Sequence, residues 1–530
     1  MSWREKTRDY EPTAYFIGLA MMAASLTLSQ FMMSVSQFLL LAAWLFLGDP
    51  IRVKLRRFFH NKIALLLVAV YLMHLIGLTY TSDFHYAMND LRVKLPLLFF
   101  PLLLSSVQPL PKRHFDLVLL IYVLSVFAST CFSFVAWIQH DYVDIREISR
   151  FISHIRFCLN IVIVIGVISY YLVTRPMPWW ERVVAFLLLV WFVFQLYIFE
   201  SLSGYIAFAG FLVVSAAYLF FTKVRSKSWR VIGATVLIVT PLLVGVWLYR
   251  TVSSLLEVTP VDLSTLDLKT AKGNDYWHDT VCFPVENGQY TGLYLCRSEL
   301  QEAWNERSSI DYDGVTANGE NLEATLVRYL ASKGLRKDAD GVAALNEQDI
   351  HNVEQGVANY LNWSHPGIYS RLGETLFEYS QYKRLNNPNG GSFSQRIEYT
   401  RASFYLIRNH PVFGVGTGDV ATAYQNAYEE LSSPLQPQYR HKAHNQYLSI
   451  TVAFGIIGLA LFIIALLYPY LKEKQYRTYL YTLFLTVALI SMLPEDTLET
   501  QAGASWFAFF NSLFIFASDK RKESSKTTIT

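Results

Sequence analysis

The chain has 530 residues, of which 53% are hydrophobic and only 16% charged, with a formal net charge of +3 and a mean hydropathy of +0.27. A water-soluble protein of this length needs several charged domain surfaces, and that charge is missing. The acidic balance of residues 250–443 also speaks against a nucleic-acid binder.

Apolar residues fall in blocks long enough to cross a hydrocarbon core, about 20 residues at roughly 1.5 Å each. The pattern predicts an all-α polytopic membrane protein of about twelve transmembrane helices. They run near 13–31, 33–48, 62–80, 95–107, 116–139, 155–173, 183–200, 204–222, 231–249, 446–470, 476–493 and 503–518. The first block is read as a retained span rather than a cleaved signal, because a second follows at once. This divides the chain into an N-terminal membrane region (1–249, about nine spans), a loop domain (250–443), a C-terminal membrane region (444–518, about three spans) and a polar tail (519–530).

Lysines and arginines set the orientation. Arg4, Lys6, Arg8, the run Arg52 to Lys62, Lys112, Arg113, Arg175, Arg182, Lys223, Arg225, Lys227, Arg230, Lys472, Lys474, Arg477 and the tail cations all fall on one side. The short loops opposite hold Arg92, Lys94, Arg146, Arg150 and Arg156. Both termini are therefore expected in the cytoplasm and the 250–443 loop outside.

That loop carries 17 Lys and Arg against 24 Asp and Glu. Apolar residues recur every three or four positions in 321–335 and 346–363, so a small, mostly helical domain is expected over about 258–390. NNPNGGS at 386–392 reads as a turn, and membrane-hugging helices are expected at about 394–430. Cys282 and Cys296, with thirteen residues between them, could pair as a local disulfide in an oxidising compartment.

Outward-facing arginines run against the charge rule. Arg92 lies in NDLRVKLPLL, Arg156 in SRFISHIRFCLN with His154 two residues earlier, and Arg396 and Arg401 in SQRIEYTRASFYLIRNHPVFGVGTG. A guanidinium fork suits phosphate oxygens; ion pairing with neighbours such as Asp90, Glu147 or Glu398 is the plainer use. HPVFGVGTG (410–418) lacks the lysine of a nucleotide loop and reads as a tight turn that positions its neighbours. Glu495, Asp496 and Glu499 mark the last external hairpin, either solvated or orienting a base. No metal motif is apparent, and Asp311/Asp313 and Asp338/Asp340 sit in solvated loop sequence.

HNQYLSITVAFGIIG sets His444 and Asn445 at the mouth of an apolar helix, with nine residues between Asn445 and Gly455 and with Gly458 one turn on. On a straight helix the two glycines share a face for close packing. The imidazole is either a general base at the membrane surface or an interfacial cap.

His444-Asn445 with Gly455 and Gly458, and Arg396 fifteen residues before the Pro411-X-X-Gly414-X-Gly416 turn, resemble the O-antigen ligase-related superfamily. That superfamily comprises lipopolysaccharide O-antigen ligases, O-antigen polymerases and bacterial protein O-oligosaccharyltransferases. The resemblance covers most of the membrane region but not the 258–390 insert. It departs where Ser201-Leu202-Ser203-Gly204 replaces an arginine-bearing Ser-Arg-Ser-Gly, so that phosphate contact is either absent or supplied from elsewhere, by Arg156 or Arg92. It implies a GT-C-like fold in the bacterial inner membrane with a periplasmic loop and no cofactor or metal. The donor is a glycan on undecaprenyl pyrophosphate; the acceptor is lipid A-core, another glycan or protein. His444 and Arg396 would be catalytic, with Arg156, Arg401, Arg92, Asn445 and His154 binding substrate. A transporter of lipid-linked sugar is the reading from a different class; no repeated halves support it.

Overall fold

The computed structural model describes residues 10–139, 145–223, 226–258, 261–364, 368–472 and 478–517. Both chain ends, and with them Arg4, Lys6, Arg8 and the tail, lie outside the described residues, as do Arg225, Lys474 and Arg477. The chain forms two compact units. One comprises Met1–Val231, Tyr399–Leu431 and Arg440–Thr530, the other Ile232–Glu398 and Ser432–Tyr439.

Each expected apolar block is a helix. Six are long and apolar enough to cross a membrane: Lys62–Tyr80, Lys112–Ile138, His154–Thr174, Trp179–Phe199, Leu202–Phe220 and Gln446–Lys472. Gln30–Phe46 and Ile51–His60, bent by 108°, make a seventh if taken as one span. Others, such as Pro96–Ser106 and Tyr479–Ser491, are too short to be counted on length. The described helices therefore establish a polytopic helical membrane protein with six or seven long spans.

Local sequence sets the boundaries in the first unit. Asn61 accepts from the amides of Ile63 and Ala64 at 3.2 Å to start the Lys62 helix, and Asp83 accepts from Tyr86 at 2.9 Å to start Phe84–Lys94. Pro96 begins the next helix, where its missing N–H costs nothing. An aromatic run fills the core, with Phe510 packed on Tyr122, Phe484 and Phe514 at 4.9, 5.8 and 5.8 Å. The Tyr122 hydroxyl is satisfied by Asn160 Oδ1 at 2.6 Å, as a polar atom in an apolar bundle must be.

Gln446–Lys472 is not straight. Gly455 has φ +63° and ψ −164°, a conformation open essentially to glycine. The break frees the carbonyls of Val452 and Ala453, which accept from the amides of Val415 and Gly416, both at 2.9 Å. Past the break, Ile456 N–H donates to Pro411 O at 2.9 Å. Irregular backbone within a membrane segment needs such protein partners. A Cβ on Gly455 would lie 2.1 Å from Val412 O, and one on Gly414 (φ +69°) 2.3 Å from Ala453 C. The glycines thus serve a backbone-to-backbone interlock rather than the helix–helix face that a straight helix implied. The same turn is tied to the Lys62 helix through Thr417 Oγ1 to His74 O (2.7 Å) and Tyr80 Oη to Phe413 O (2.9 Å).

The second unit holds most of the insert. Its core gathers Leu300, Trp304, Leu322, Leu326, Leu330, Val342 and Val353 from four short helices. Leu322–Ser332 and Glu347–Glu354 fall within the two periodic stretches, and a short hairpin pairs Val285–Glu286 with Gln289–Tyr290. Asn386 (φ +50°) and Gly390 (φ +84°) form the turn before helix Ser392–Asn409. Cys282 and Cys296 are both free thiols, the first exposed and the second buried, so the spacing does not become a disulfide.

Candidate active site

The first unit brings one end of the Gln446 helix against the hairpin before the last helix. Gln446 N–H donates to Met492 O at 2.9 Å, and Leu498 N–H donates to Gln446 Oε1 at 2.6 Å. Asn445 Nδ2 donates to Leu493 O at 2.8 Å, while its Oδ1 caps the helix by accepting from Leu448 N–H at 3.0 Å. Asn445 thus ties the start of the helix to the hairpin, with one amide N–H and one carbonyl lone pair engaged.

These ties set Asp496 beside His444, with Nδ1 and Oδ1 3.7 Å apart. That is ion-pair range and beyond hydrogen-bond length; such catalytic contacts often close only when substrate binds. The His444 side chain is 36% exposed and Asp496 only 11%, so the ring can be reached while its partner cannot. Burial raises the Asp496 carboxyl, but the adjoining imidazole outweighs it and holds the group below the usual carboxylate range. The Tyr399 ring lies tilted against the imidazole at 5.5 Å and the His441 ring edge-on at 6.1 Å. His444 itself has φ +47°, a left-handed backbone that costs a non-glycine residue about 1–3 kcal/mol.

Arg156, in the first turn of His154–Thr174, lies close enough to Glu495 and Asp496 to feel their negative charge. The fold thus gathers His444 and Arg156 from sequence positions almost 300 residues apart. Other expected residues have different surroundings. The His154 ring lies 5.2 Å from Phe199, Arg92 is exposed on Phe84–Lys94, and Arg401 is exposed on Ser392–Asn409. Arg396 is half-buried on that same helix, within the second unit. There its neighbour Glu398 accepts from Tyr382 Oη and Ser433 Oγ, both at 2.5 Å. Ser201 and Ser203, where an arginine motif is replaced, are buried.

Sequence reasoning named the acidic hairpin without choosing Asp496, and it missed Tyr399, His441 and Lys442. The available signal was PED at 494–496, a pair of acids just outside an apolar helix. Among the described residues, His444, Glu495 and Asp496 bring ligand-type atoms within 4.8 Å of one another. These are the atoms on which a cation could be held.

The chain is thus a helical membrane protein with a histidine–carboxylate pair at the mouth of a broken helix. Residues 356–463 match the family model described as O-Antigen ligase, in line with the superfamily that the motifs resemble. The match spans both glycine motifs and His444. Among curated proteins, none matches the chain. Family and fold together indicate a membrane protein of glycan transfer, with a lipid-linked glycan substrate and a glycan acceptor in general terms.

Proposed function

We propose that this protein is an inverting glycosyltransferase that ligates O-antigen to lipid A-core at the periplasmic face of the bacterial inner membrane. The observation that carries the reading is the reachable His444 imidazole with the buried Asp496 carboxylate on its Nδ1 side. Asp496 favours the tautomer with the proton on Nδ1 and stabilises the imidazolium once formed. Nε2 then takes the proton of the acceptor hydroxyl as that oxygen attacks the anomeric carbon. The bond from anomeric carbon to pyrophosphate oxygen breaks, its electron pair leaves on undecaprenyl pyrophosphate, and the anomeric centre inverts. Arg156 and Arg401 offset the charge that develops on the leaving group.

The test uses purified protein in detergent with the lipid-linked glycan and lipid A-core. Wild type attaches the glycan to core covalently, and His444→Ala is slower by roughly 10²–10⁴-fold, the range of general base catalysis. Covalent transfer without a membrane to cross rules out a transporter. Transfer to a second lipid-linked glycan instead of core makes the protein a polymerase. Transfer to protein serine or threonine makes it an oligosaccharyltransferase. Wild-type rates from His444→Ala would remove the base.

A further inference from the structure

Behind the histidine lies a buried set of four charges that the transfer reaction itself does not use. Lys94 and Asp90 pair one turn apart on Phe84–Lys94. Lys94 Nζ also reaches Glu499 Oε1 at 2.9 Å, and Lys442 Nζ reaches Glu499 Oε2 at 2.8 Å. Lys94 is only 2% exposed. Two positive and two negative groups balance, which makes burial tolerable; removing a single partner strands a charge in a poorly hydrated place.

The position of this set in the chain is what gives it meaning. Lys442 stands two residues before His444. Glu499 closes the 3-10 turn Thr497–Glu499, donating its N–H to Asp496 O at 3.0 Å. One ion pair therefore joins the segment that presents the base to the turn that presents its carboxylate. Without it, the left-handed backbone of His444 and the 3.7 Å gap to Asp496 would rest on Asn445 and Gln446.

We infer that the Lys442–Glu499 pair is a positioning device that holds Asp496 in register with His444, while Lys94 and Asp90 balance its charge. The inference rests on the proposed role of His444. Displacing a catalytic group by about 1 Å costs on the order of 10²-fold in rate, so the pair acts on turnover rather than on donor binding.

The experiment compares two charge-balanced double variants of the full chain. Lys442→Met with Glu499→Gln cuts the tie and leaves Lys94–Asp90 paired. Asp90→Asn with Lys94→Met leaves the tie and removes the balancing pair. The first is expected to lower kcat about 10- to 100-fold with KM for the lipid-linked donor within twofold, and to speed hydrogen–deuterium exchange in peptides covering 494–500. The second is expected to keep kcat within about threefold and to leave that exchange unchanged. Equal losses of kcat in both variants, or unchanged exchange at 494–500 when the tie is cut, would overturn the inference. The exchange arm needs no turnover. A fully active His444→Ala would overturn the catalytic reading and this inference with it, and it is told apart from a failed tie by the faster exchange.

Discussion

Gly455→Ala should be among the most damaging single-methyl changes available in this chain. The added Cβ would sit 2.1 Å from Val412 O, 2.2 Å from Val412 C and 2.6 Å from Phe413 N. All three are backbone atoms, so no side chain can swing away. Alanine also disfavours φ +63° with ψ −164°, at a cost of about 1–3 kcal/mol. Relief requires the 411–416 turn to withdraw, which breaks three hydrogen bonds of 2.9 Å, each worth about 0.5–1.5 kcal/mol net. The sum is roughly 3–7 kcal/mol. In detergent, thermal unfolding followed by tryptophan fluorescence should move down by at least about 5 °C, with glycan transfer falling in parallel. Gly245→Ala is the control, since nothing lies within 4 Å of its Cβ; on an exposed helix it should be neutral or gain about 0.5–1 kcal/mol. If Gly455→Ala unfolds within 1–2 °C of wild type, roughly the scatter of the method, the interlock does not hold this helix as described.

Asp496→Asn should reduce turnover on the order of 10²-fold while leaving donor KM in place, because it removes the charge that stabilises imidazolium but little volume; steady-state kinetics with purified lipid-linked glycan checks this. Trp304→Ala should destabilise the insert by about 3–5 kcal/mol. The side chain is fully buried and its Nε1 donates to Ile310 O at 2.9 Å. Limited proteolysis of the full chain should then cut within 258–390 first. Acid should act late. Burial raises Glu499, but Lys94 and Lys442 bring it far below the usual carboxylate range, and Asp496 is held low as well. A depressed carboxylate contributes stability that is complete above its unfolded value, about 4, and is lost as pH falls through the lower folded value. Thermal stability should therefore stay level from pH 8 to 5 and decline only below about 4; a decline starting near pH 6 would contradict the assignment.

Composition and periodicity made the membrane class and the apolar helices legible, because burial in hydrocarbon imposes a one-dimensional rule on sequence. They did not make the break legible. Gly455 within SITVAFGIIG looks like one more small residue in an apolar helix, and its partner is a turn forty residues earlier. His444 and Arg396 were visible as residues out of place for their surroundings. Asp496 was visible only as one acid among three, since its distinction from Glu495 and Glu499 is three-dimensional. Lys442 gave no signal, because a cation beside a membrane helix has many ordinary uses. The insert core was foreshadowed by its apolar spacing, whereas the unpaired Cys282 and Cys296 show that loop spacing does not fix sulfur geometry.

The broken helix also has a biosynthetic consequence. Gly455 lies nine residues into its helix, roughly 14 Å by helical rise and close to half the thickness of a bilayer core. Until the 411–416 turn docks, two carbonyls and an amide stand bare at that depth, where each unsatisfied group costs several kcal/mol. The turn is translated first and must wait at the membrane surface for the helix it will complete. A chain that misses this docking carries its lesion inside the bilayer, where no water can satisfy the bare groups.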